Sequence, residues 1–385
     1  MVIKDTFTPQ NIERIFEGEF STATNVQLLW KSSESFKKIF DAVRDAKQFI
    51  CLQFYIFRND ETGRELSELL KQKSQEGISV YILHDHFGSF GTPRSFWKEM
   101  KEAGIKIKSS HPFKWTAPLR YVHRDHRKLI VIDAEKAFTG GLNIANEYSG
   151  FHFKHGGRVW RDTGILLEGP VVNALFKAFK KSWYTWGGEK IEFQEKSEES
   201  SIGIPAIPIF VDSSRGRRRM RRLIYYSINH AKKCISLTTA YFTPSRRMVE
   251  TLEEAKRRGV RVRLLIPGKS DVPAAFYAGR AFFSKLLNAG VEIYNYRGED
   301  ILHAKTFIFD ECWSIIGSTN LDFQSLRYND EGNVGILDAG FASQMTDIFE
   351  DDLKHSLKVE KEQWLKRPLS EKIKAHFFSL FRRRL

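Results

Sequence analysis

Two segments of the 385-residue chain carry the same reactive side chains at the same spacing. Both follow the pattern H-x-K-x-x-x-x-D, formed by His126, Lys128 and Asp133 in the first copy and by His303, Lys305 and Asp310 in the second. An asparagine follows each copy at the same distance, Asn143 in the first and Asn320 in the second. One copy of so short a pattern arises easily by chance, whereas two copies with matched asparagines indicate a functional site.

These side chains suit chemistry at phosphorus. A neutral imidazole can attack phosphorus and form a covalent phosphohistidine, which splits one difficult displacement into two easier steps. A second, protonated imidazole can donate to the departing alkoxide and later accept the proton of the incoming hydroxyl. Lysine and asparagine donors can stabilise the negative charge of the transition state. Because the motifs carry no cluster of carboxylates, we expect neither a metal ion nor another cofactor.

The repeat extends to the elements that must position these motifs. Alternating apolar runs begin at Phe49 and again at Ile235, and each half then reads as strand, helix, strand, helix, strand and His-Lys strand. This order predicts an α/β fold of two repeated α/β/α sandwich domains related by a pseudo-twofold axis. Within each motif the histidine and lysine are two residues apart, so they should share one face of a buried parallel strand.

The same pattern predicts five segments along the chain. They are a lead-in (1–24), a first domain (25–190), a polar linker (191–206), a second domain (207–350) and a basic amphipathic tail (351–385).

Composition narrows the class of partner without choosing one. The net charge of +14 suits a polyanion, either nucleic acid or an anionic membrane. The three cysteines lie in apolar runs, which indicates buried free thiols and a reducing compartment. The amino terminus does not resemble a secretory signal, and no uncharged stretch is long enough to span a bilayer, so we expect a soluble or peripheral protein.

Two basic regions allow more than one interpretation. Arginines crowd residues 215–222, which form either a solvated helix face or an anion-binding face. In the tail, one helix side gathers the apolar residues Leu369, Ile373, Phe377, Leu380 and Phe381. Flanking lysines and arginines make this pattern typical of an interfacial membrane anchor, and the alternative is a helix that caps the core of the protein itself.

The motifs resemble those of the phospholipase D superfamily, and within it the bacterial cardiolipin synthases. The paired H-x-K-x-x-x-x-D pattern defines the superfamily. The segments that carry the closer resemblance are 124–128, 140–148, 160–163, 240–244, 317–322 and 329–331. The resemblance covers about residues 25–365, nearly the whole chain.

The resemblance implies a role for each site residue. His126 and His303 correspond to the nucleophile and the general acid/base. The phosphate ligands would be Lys128, Lys305, Asn143, Asn320 and Ser318. Asp162 and Glu331 are candidates for orienting the two imidazoles. Asp133 and Asp310 complete the motifs, although an aspartate that ends a strand typically holds the following turn.

Three features depart from the family pattern. Many cardiolipin synthases begin with two transmembrane helices, which this sequence lacks, so it resembles the shorter type. Gln324 stands where the family usually has arginine. Gly141 stands where the second half has Ser318, so the two halves are not chemically identical.

The implied function is a phosphatidyltransferase that makes cardiolipin through a phosphohistidine. The donor is phosphatidylglycerol or phosphatidylethanolamine, and the acceptor is phosphatidylglycerol. The expected location is the cytoplasmic face of the bacterial inner membrane, as a peripheral protein bound to anionic phospholipid. Hydrolysis of phospholipids is a close variant in which water replaces the acceptor. Neither the oligomeric state nor the identity of the nucleophilic histidine follows from the sequence.

A phosphodiesterase acting on nucleic acid is a further alternative, because the chain is basic. The aromatic residues Phe113, Trp115, Phe276, Tyr277, Phe282 and Phe283 argue against it, since they suit acyl chains near the mouth of the site, although core packing is an equal interpretation for the phenylalanine pairs. No nucleic acid partner is therefore expected. An inactive membrane-binding relative would have a broken motif, and both motifs are intact.

Overall fold

The computed structural model describes residues 6–113, 123–150, 159–195 and 202–382. The elements of the amino-terminal half are α1 Pro9–Phe16, β1 Ser21–Ala23, β2 Asn25–Leu29, α2 Ser32–Arg44, β3 Phe49–Phe54, α3 Glu61–Gln75, β4 Ser79–Asp85, α4 Arg94–Glu102, β5 Lys106–Ser110, β6 Leu129–Ile132, β7 Lys136–Gly140, α5 Asn146–Ser149, β8 Trp160–Arg161, β9 Gly164–Glu168 and α6 Val171–Thr185. Trp115 falls outside the described residues.

The carboxy-terminal half repeats this order. Its elements are β10 Ile204–Val211, α7 Ser214–His230, β11 Cys234–Thr238, α8 Arg246–Arg257, β12 Arg261–Pro267, α9 Pro273–Arg280, α10 Phe283–Asn288, β13 Glu292–Tyr296, β14 Ile301–Leu302, β15 Thr306–Phe309, β16 Trp313–Gly317, α11 Phe323–Arg327, β17 Glu331–Leu337, α12 Ala339–Lys354, β18 Ser356–Lys358, α13 Lys361–Leu365 and α14 Leu369–Leu380.

The structure contains two large sheets that share an order of seven strands, and the second sheet has one further strand at each edge. The first sheet has the order β2-β9-β7-β6-β3-β4-β5, and the second has β1-β10-β17-β16-β15-β11-β12-β13-β18. The strands β3, β4 and β5 run parallel, as do β11, β12 and β13. Helices α2 to α5 cover the outer face of the first sheet, and α1, α7, α8, α10 and α13 cover that of the second. The inner faces of both sheets share one apolar cluster with α6 and α12, which confirms the predicted pair of α/β domains.

The strand within each motif, between its lysine and its aspartate, differs from the prediction. Strand β6 pairs antiparallel with β3 and β7, and β15 pairs antiparallel with β11 and β16. The prediction of parallel strands was therefore wrong. Both strands are buried on both faces, and such burial gives a continuous apolar run whichever way the neighbouring strands point.

The segments outside the two predicted domains also form structure. Strand β1, inside the predicted lead-in, pairs with β10 of the second sheet, and β10 itself begins within the predicted linker. Helix α12 continues past residue 350, and β18 in the predicted tail pairs with β13. Short edge strands such as β1 and β18 are too brief to show an alternating pattern, so the sequence did not reveal them.

No helix among the described residues is long and apolar enough to cross a membrane.

Candidate active site

The two motifs meet where the two halves cross each other. Strand β8 of the first half pairs with β14 of the second, and Asp125 forms an isolated bridge with Asp330. The backbone N–H of His303 donates to the carbonyl of Arg161 at 2.8 Å. In the matching contact, the N–H of His126 donates to the carbonyl of Asp330 at 2.9 Å. The reciprocal contacts place each motif histidine against the other half of the chain.

His126 and His303 both line one cavity of about 650 Å³, together with Asn143 and Asn320. Neither histidine is on a strand, because β6 begins at Leu129 and β15 at Thr306. The prediction that each histidine and lysine lie on a strand was therefore wrong. They occupy the extended segments that enter the strands, where backbone groups are used by the contacts between the halves.

Each imidazole is held by a carboxylate from the opposite half. Nδ1 of His303 lies 2.6 Å from Oδ2 of Asp162. Nδ1 of His126 lies 3.3 Å from Oε2 of Glu331 and 3.1 Å from the carbonyl oxygen of Ser318. Both contacts occupy Nδ1 and leave Nε2 for chemistry, although Nζ of Lys305 lies 3.3 Å from Nε2 of His303. The arrangement supports the predicted orienting role of Asp162 and Glu331, and it assigns each carboxylate to the histidine of the other half.

Burial is the main influence on the protonation of this site. It lowers the pKa of His303 to about 4, with Lys305 as the next cause, and it lowers the pKa of His126, with Lys128 next. Burial likewise lowers the pKa of Lys128 to about 7. The empty site therefore disfavours additional positive charge, and a phosphodiester anion would reverse that preference.

The two lysines lie behind the histidines. Nζ of Lys128 donates to the carbonyl of His126 at 2.6 Å, and Nζ of Lys305 donates to the carbonyl of His303. Nζ of Lys305 also lies 3.6 Å from Oδ2 of Asp162. Burial opposes ionisation of Asp162, but Lys305 and His303 outweigh it and lower its pKa. The lysines thus place their amino groups directly beside the imidazoles, and burial lowers the pKa of both.

The two asparagines are not equivalent in the empty site. Asn143 is engaged at both ends, because its Oδ1 accepts from the N–H of Ile56 at 3.0 Å and its Nδ2 donates to the hydroxyl of Tyr148 at 2.8 Å. Asn320 accepts through Oδ1 from Thr239 and the N–H of Tyr241, both at 3.3 Å. Its Nδ2 makes no hydrogen bond to another described residue, so it remains available to a phosphate oxygen.

Three predicted site residues have contacts within the protein. The hydroxyl of Ser318 donates to Glu331 and accepts from the N–H of Gly332, so it holds this carboxylate, and its contact with a phosphate stays a prediction. Asp133 accepts from the N–H groups of residues 47, 48 and 49, each at 2.8 Å. Asp310 accepts from those of residues 232, 233 and 234. Each aspartate holds the segment before a neighbouring strand, not the turn that follows it.

Aromatic rings around the histidines escaped the sequence prediction as site residues. The ring of Tyr55 lies 5.0 Å from that of His126, and the ring of Tyr241 lies 5.9 Å from that of His303. Trp160 and Tyr148 also pack against His303, at 4.6 and 5.6 Å. Tyr55 and Tyr241 occupy matching positions at the ends of β3 and β11, so the repeat itself could have identified them. These rings provide the apolar surroundings that keep the imidazoles neutral.

The other aromatic residues predicted near the mouth do not form one group. Phe283 is fully buried in the core and packs on Trp364 at 4.9 Å, which favours core packing, one of the two interpretations of this phenylalanine pair. Tyr277 of α9 stacks on Phe378 of α14, and Phe113 is exposed.

Comparison with known proteins identifies the family. A family model described as "Cardiolipin synthase, PLD-like domain" matches residues 39–183 and 224–353. The chain belongs to this cardiolipin synthase family. As a family member it is an enzyme of the phospholipase D superfamily, as the paired motifs predicted.

Curated relatives of this family align with most of the chain. Cardiolipin synthase 2 of Bacillus anthracis is 33% identical over 370 residues, which cover 94% of this chain and 71% of that protein. Major cardiolipin synthase ClsA of Bacillus subtilis is 32% identical over 362 residues, covering 92% and 74%. Among solved structures, the phosphatidylserine synthase of Haemophilus influenzae Rd KW20 shares the fold, with a TM-score of 0.74, 15% identity and coverage of 98% of this chain and 100% of that one.

The asymmetry between Gly141 and Ser318 gives a testable result. A Cβ atom at Gly141 would lie 2.0 Å from Oδ1 of Asp162, so an alanine there must displace the carboxylate that holds His303. Because a displacement of about 1 Å can cost ~100-fold in rate, we expect Gly141→Ala to lower turnover by about that factor. The control is Gly91→Ala, whose Cβ would meet nothing within 4 Å. Steady-state kinetics and thermal melting compare the two, and wild-type turnover in Gly141→Ala would refute the steric argument.

Proposed function

We propose that this enzyme is a phosphatidyltransferase that forms cardiolipin from phosphatidylglycerol through a covalent phosphohistidine. The observation that carries the proposal is the pair of histidines on one cavity, each held by a carboxylate of the opposite half. Curated relatives named cardiolipin synthase, similar over more than nine tenths of the chain, support the substrate class.

In the first step, Nε2 of His126 attacks the phosphorus of the donor lipid, and the bond from phosphorus to the headgroup oxygen breaks. His303 donates a proton to that oxygen, and glycerol leaves. In the second step, His303 accepts the proton of a headgroup hydroxyl from a second phosphatidylglycerol. That hydroxyl oxygen attacks phosphorus, the phosphorus–nitrogen bond breaks, and cardiolipin and neutral His126 are released. Phosphatidylethanolamine would serve as the donor in the same way, with ethanolamine leaving.

The bound substrate would set the protonation that these steps require. Burial lowers the pKa of each imidazole and so favours the neutral form in the empty site. A phosphodiester anion in the cavity would raise the pKa of the nearer imidazole, and Asp162 would stabilise the resulting imidazolium of His303. Neutral His126 is then free to act as the nucleophile.

One wall of the cavity supports transfer to an acceptor that carries hydroxyl groups. The oxygens Oε1 of Gln324 and Oδ1 of Asn329 are buried and accept no hydrogen bond from the described residues, and both side chains line the cavity. Buried acceptors without donors are costly, and the hydroxyls of a glycerol headgroup would satisfy them. Gln324 stands where the family usually has arginine, so a neutral acceptor replaces a positive charge at this point.

The direct test resolves products. Purified protein is incubated with vesicles of labelled phosphatidylglycerol, with and without phosphatidylethanolamine, and the lipids are separated. We expect cardiolipin and free glycerol in the first case and additional ethanolamine in the second. Phosphatidic acid as the main product would identify a hydrolase, and cleavage of a nucleic acid in place of lipid would favour the phosphodiesterase alternative.

We expect activity to persist in excess chelator. The positive charge that a metal ion would supply beside the phosphate is available from Lys128 and Lys305, which lie directly behind the histidines. The measurement compares the transfer rate in buffer and in excess chelator. Complete loss in chelator that one specific metal restores would contradict the expectation.

We further propose that the enzyme acts as a peripheral protein at the cytoplasmic surface of an anionic membrane. Helix α14 packs against α9 through the stacked rings of Phe378 and Tyr277, 5.8 Å apart. Its opposite side exposes the apolar residues Leu369, Ile373, Phe377 and Leu380 by 53–71%. One side of α14 therefore packs on the protein while another side is exposed to solvent, and the exposed apolar side supports membrane contact. The three free cysteines suit a reducing compartment.

Polar substitution of that exposed side should weaken vesicle binding without unfolding the protein. We expect Ile373→Ser and Phe377→Ser each to lower the affinity for phosphatidylglycerol vesicles roughly tenfold, because about half of a large apolar side chain no longer leaves water. Sedimentation with vesicles measures the affinity. Leu357→Ser is the control, since Leu357 is 56% exposed on β18, away from α14. A large fall in melting temperature with unchanged binding would identify the exposed side as a contact within the protein.

A further inference from the structure

A second cavity, of about 490 Å³, lies beside α11 and shares Asp322 with the active-site cavity. We call it the arginine cavity. Among the described residues, five arginines line it, namely Arg221, Arg246, Arg247, Arg327 and Arg382. They come from four parts of the chain: α7, the start of α8, the end of α11 and the turn after α14. The tertiary structure thus gathers them from distant positions.

Four of these arginines lack a carboxylate partner among the described residues. Among the described residues, none of Arg221, Arg246 and Arg247 forms an ion pair with a carboxylate, and Arg327 forms none either. Other arginines of α7 are matched: Arg215, Arg219 and Arg222 all pair with Glu17, and Arg217 pairs with Asp330. The uneven pairing on α7 leaves uncompensated positive charge on the side that faces the cavity.

The charges in the cavity act on one another. Nη1 of Arg221 donates to the carbonyl of Leu326, and the guanidinium of Arg247 lies 4.8 Å from the ring of Tyr225. Burial lowers the pKa of Arg221, and the positive charge of Arg327 is the next cause. Asp322, the one carboxylate among the described residues that line the cavity, uses Oδ1 to cap α11 through the N–H of Ser325. An anion with several acceptor oxygens would relieve this repulsion.

Apolar side chains accompany the arginines. Phe323 and Leu326 line the cavity. Leu380 and Phe381, which directly precede Arg382 in the chain, are 64% and 46% exposed. Positive charge beside apolar side chains matches an amphiphile, whose anionic group would meet the arginines while its chains contact the apolar residues.

We propose that the arginine cavity binds the phosphate group of an anionic membrane phospholipid at a site separate from the catalytic histidines. The lipid anchors the enzyme beside its active site and is not consumed. The inference rests on the proposed function only in taking membrane phospholipid as the ligand.

The test removes equal charge from two places on the surface. Arg246→Gln with Arg327→Gln empties the cavity of two charges, and Arg215→Gln with Arg222→Gln removes two charges that Glu17 already matches. In sedimentation with phosphatidylglycerol vesicles, we expect the cavity pair to bind roughly 30-fold more weakly and the control pair about threefold or less. Arg246→Gln alone should show a loss of about fivefold, and Arg246 makes no hydrogen bond or ion pair to another described residue, so this variant should fold normally.

Three results would overturn the proposal. Wild-type affinity in the double variant of the cavity would show that the cavity does not bind lipid. An equal loss of affinity in both double variants would show that binding depends on diffuse electrostatic attraction. Displacement of the vesicles by inorganic phosphate at the concentration of the lipid phosphate would identify a soluble anion as the ligand. Transfer on dispersed short-chain phosphatidylglycerol is measured separately, so that failure of the proposed function appears there while failure of the arginine cavity appears in vesicle binding.

Discussion

Replacing either His126 or His303 with alanine is expected to lower the transfer rate by about three orders of magnitude or more. Both side chains line the same cavity, and each is held by a different carboxylate. One imidazole cannot act as nucleophile and as proton donor in the same step, so neither can replace the other. The losses should not add in the double variant, because the two residues act as one unit.

The measurement is single-turnover transfer with saturating lipid, together with mass spectrometry of the trapped intermediate. His230→Ala is the control. This histidine is exposed at the end of α7, contacts the carbonyl of Tyr226, and belongs to neither motif. We expect the phosphoryl adduct on His126. An adduct on His303 would reverse the two roles, and a near-wild-type rate in either alanine variant would rule out the two-histidine mechanism.

Asp162→Asn is expected to lower the rate by about 10³–10⁴-fold, and Glu331→Gln by about tenfold to 100-fold. Asp162 is the closer partner, with Oδ2 2.6 Å from Nδ1 of His303. Glu331 lies 3.3 Å from Nδ1 of His126, and the carbonyl of Ser318 at 3.1 Å still accepts from the same nitrogen in its absence. The carbonyl can preserve the tautomer of His126, whereas no second carbonyl or carboxylate contacts Nδ1 of His303 among the described residues.

Both amide variants keep the shape of the side chain, so the comparison isolates charge and hydrogen bonding. Turnover and substrate affinity are measured for each, and the affinity should change little. Equal losses in the two variants would show that the carbonyl of Ser318 does not support His126. A larger loss in Glu331→Gln would show that negative charge matters more on the side of the nucleophile.

The sequence predicted the reacting side chains because the repeat makes them visible. Paired motifs and paired asparagines identified His126, His303, Asn143 and Asn320, and all four line the cavity. Spacing could not pair each imidazole with its carboxylate. The partners are 141 and 205 positions apart in the chain, and only the crossing of the two halves brings them together.

The fold class was predicted correctly, but details that depend on packing were not. The apolar run within each motif indicated burial, whereas strand direction depends on which neighbours the chain places beside it. Asp133 and Asp310 bind backbone N–H groups on an adjacent strand segment, a contact that the sequence of the motif alone does not specify. The arginine cavity likewise combines residues from four separated elements.

The exchange of carboxylates between the halves bears on how such a chain arose. In both halves the histidine depends on an acid supplied by the other copy, through matching backbone contacts. Two identical polypeptides associated about a twofold axis would have made the same contacts with each other. The site is therefore consistent with an ancestral symmetric dimer, whose single gene was duplicated and the two copies fused. After fusion the copies could diverge together, with aspartate opposite Gly141 in one and glutamate bonded to Ser318 in the other. If either half were expressed alone as a monomer, its motif histidine would lack the carboxylate that holds it in the whole chain.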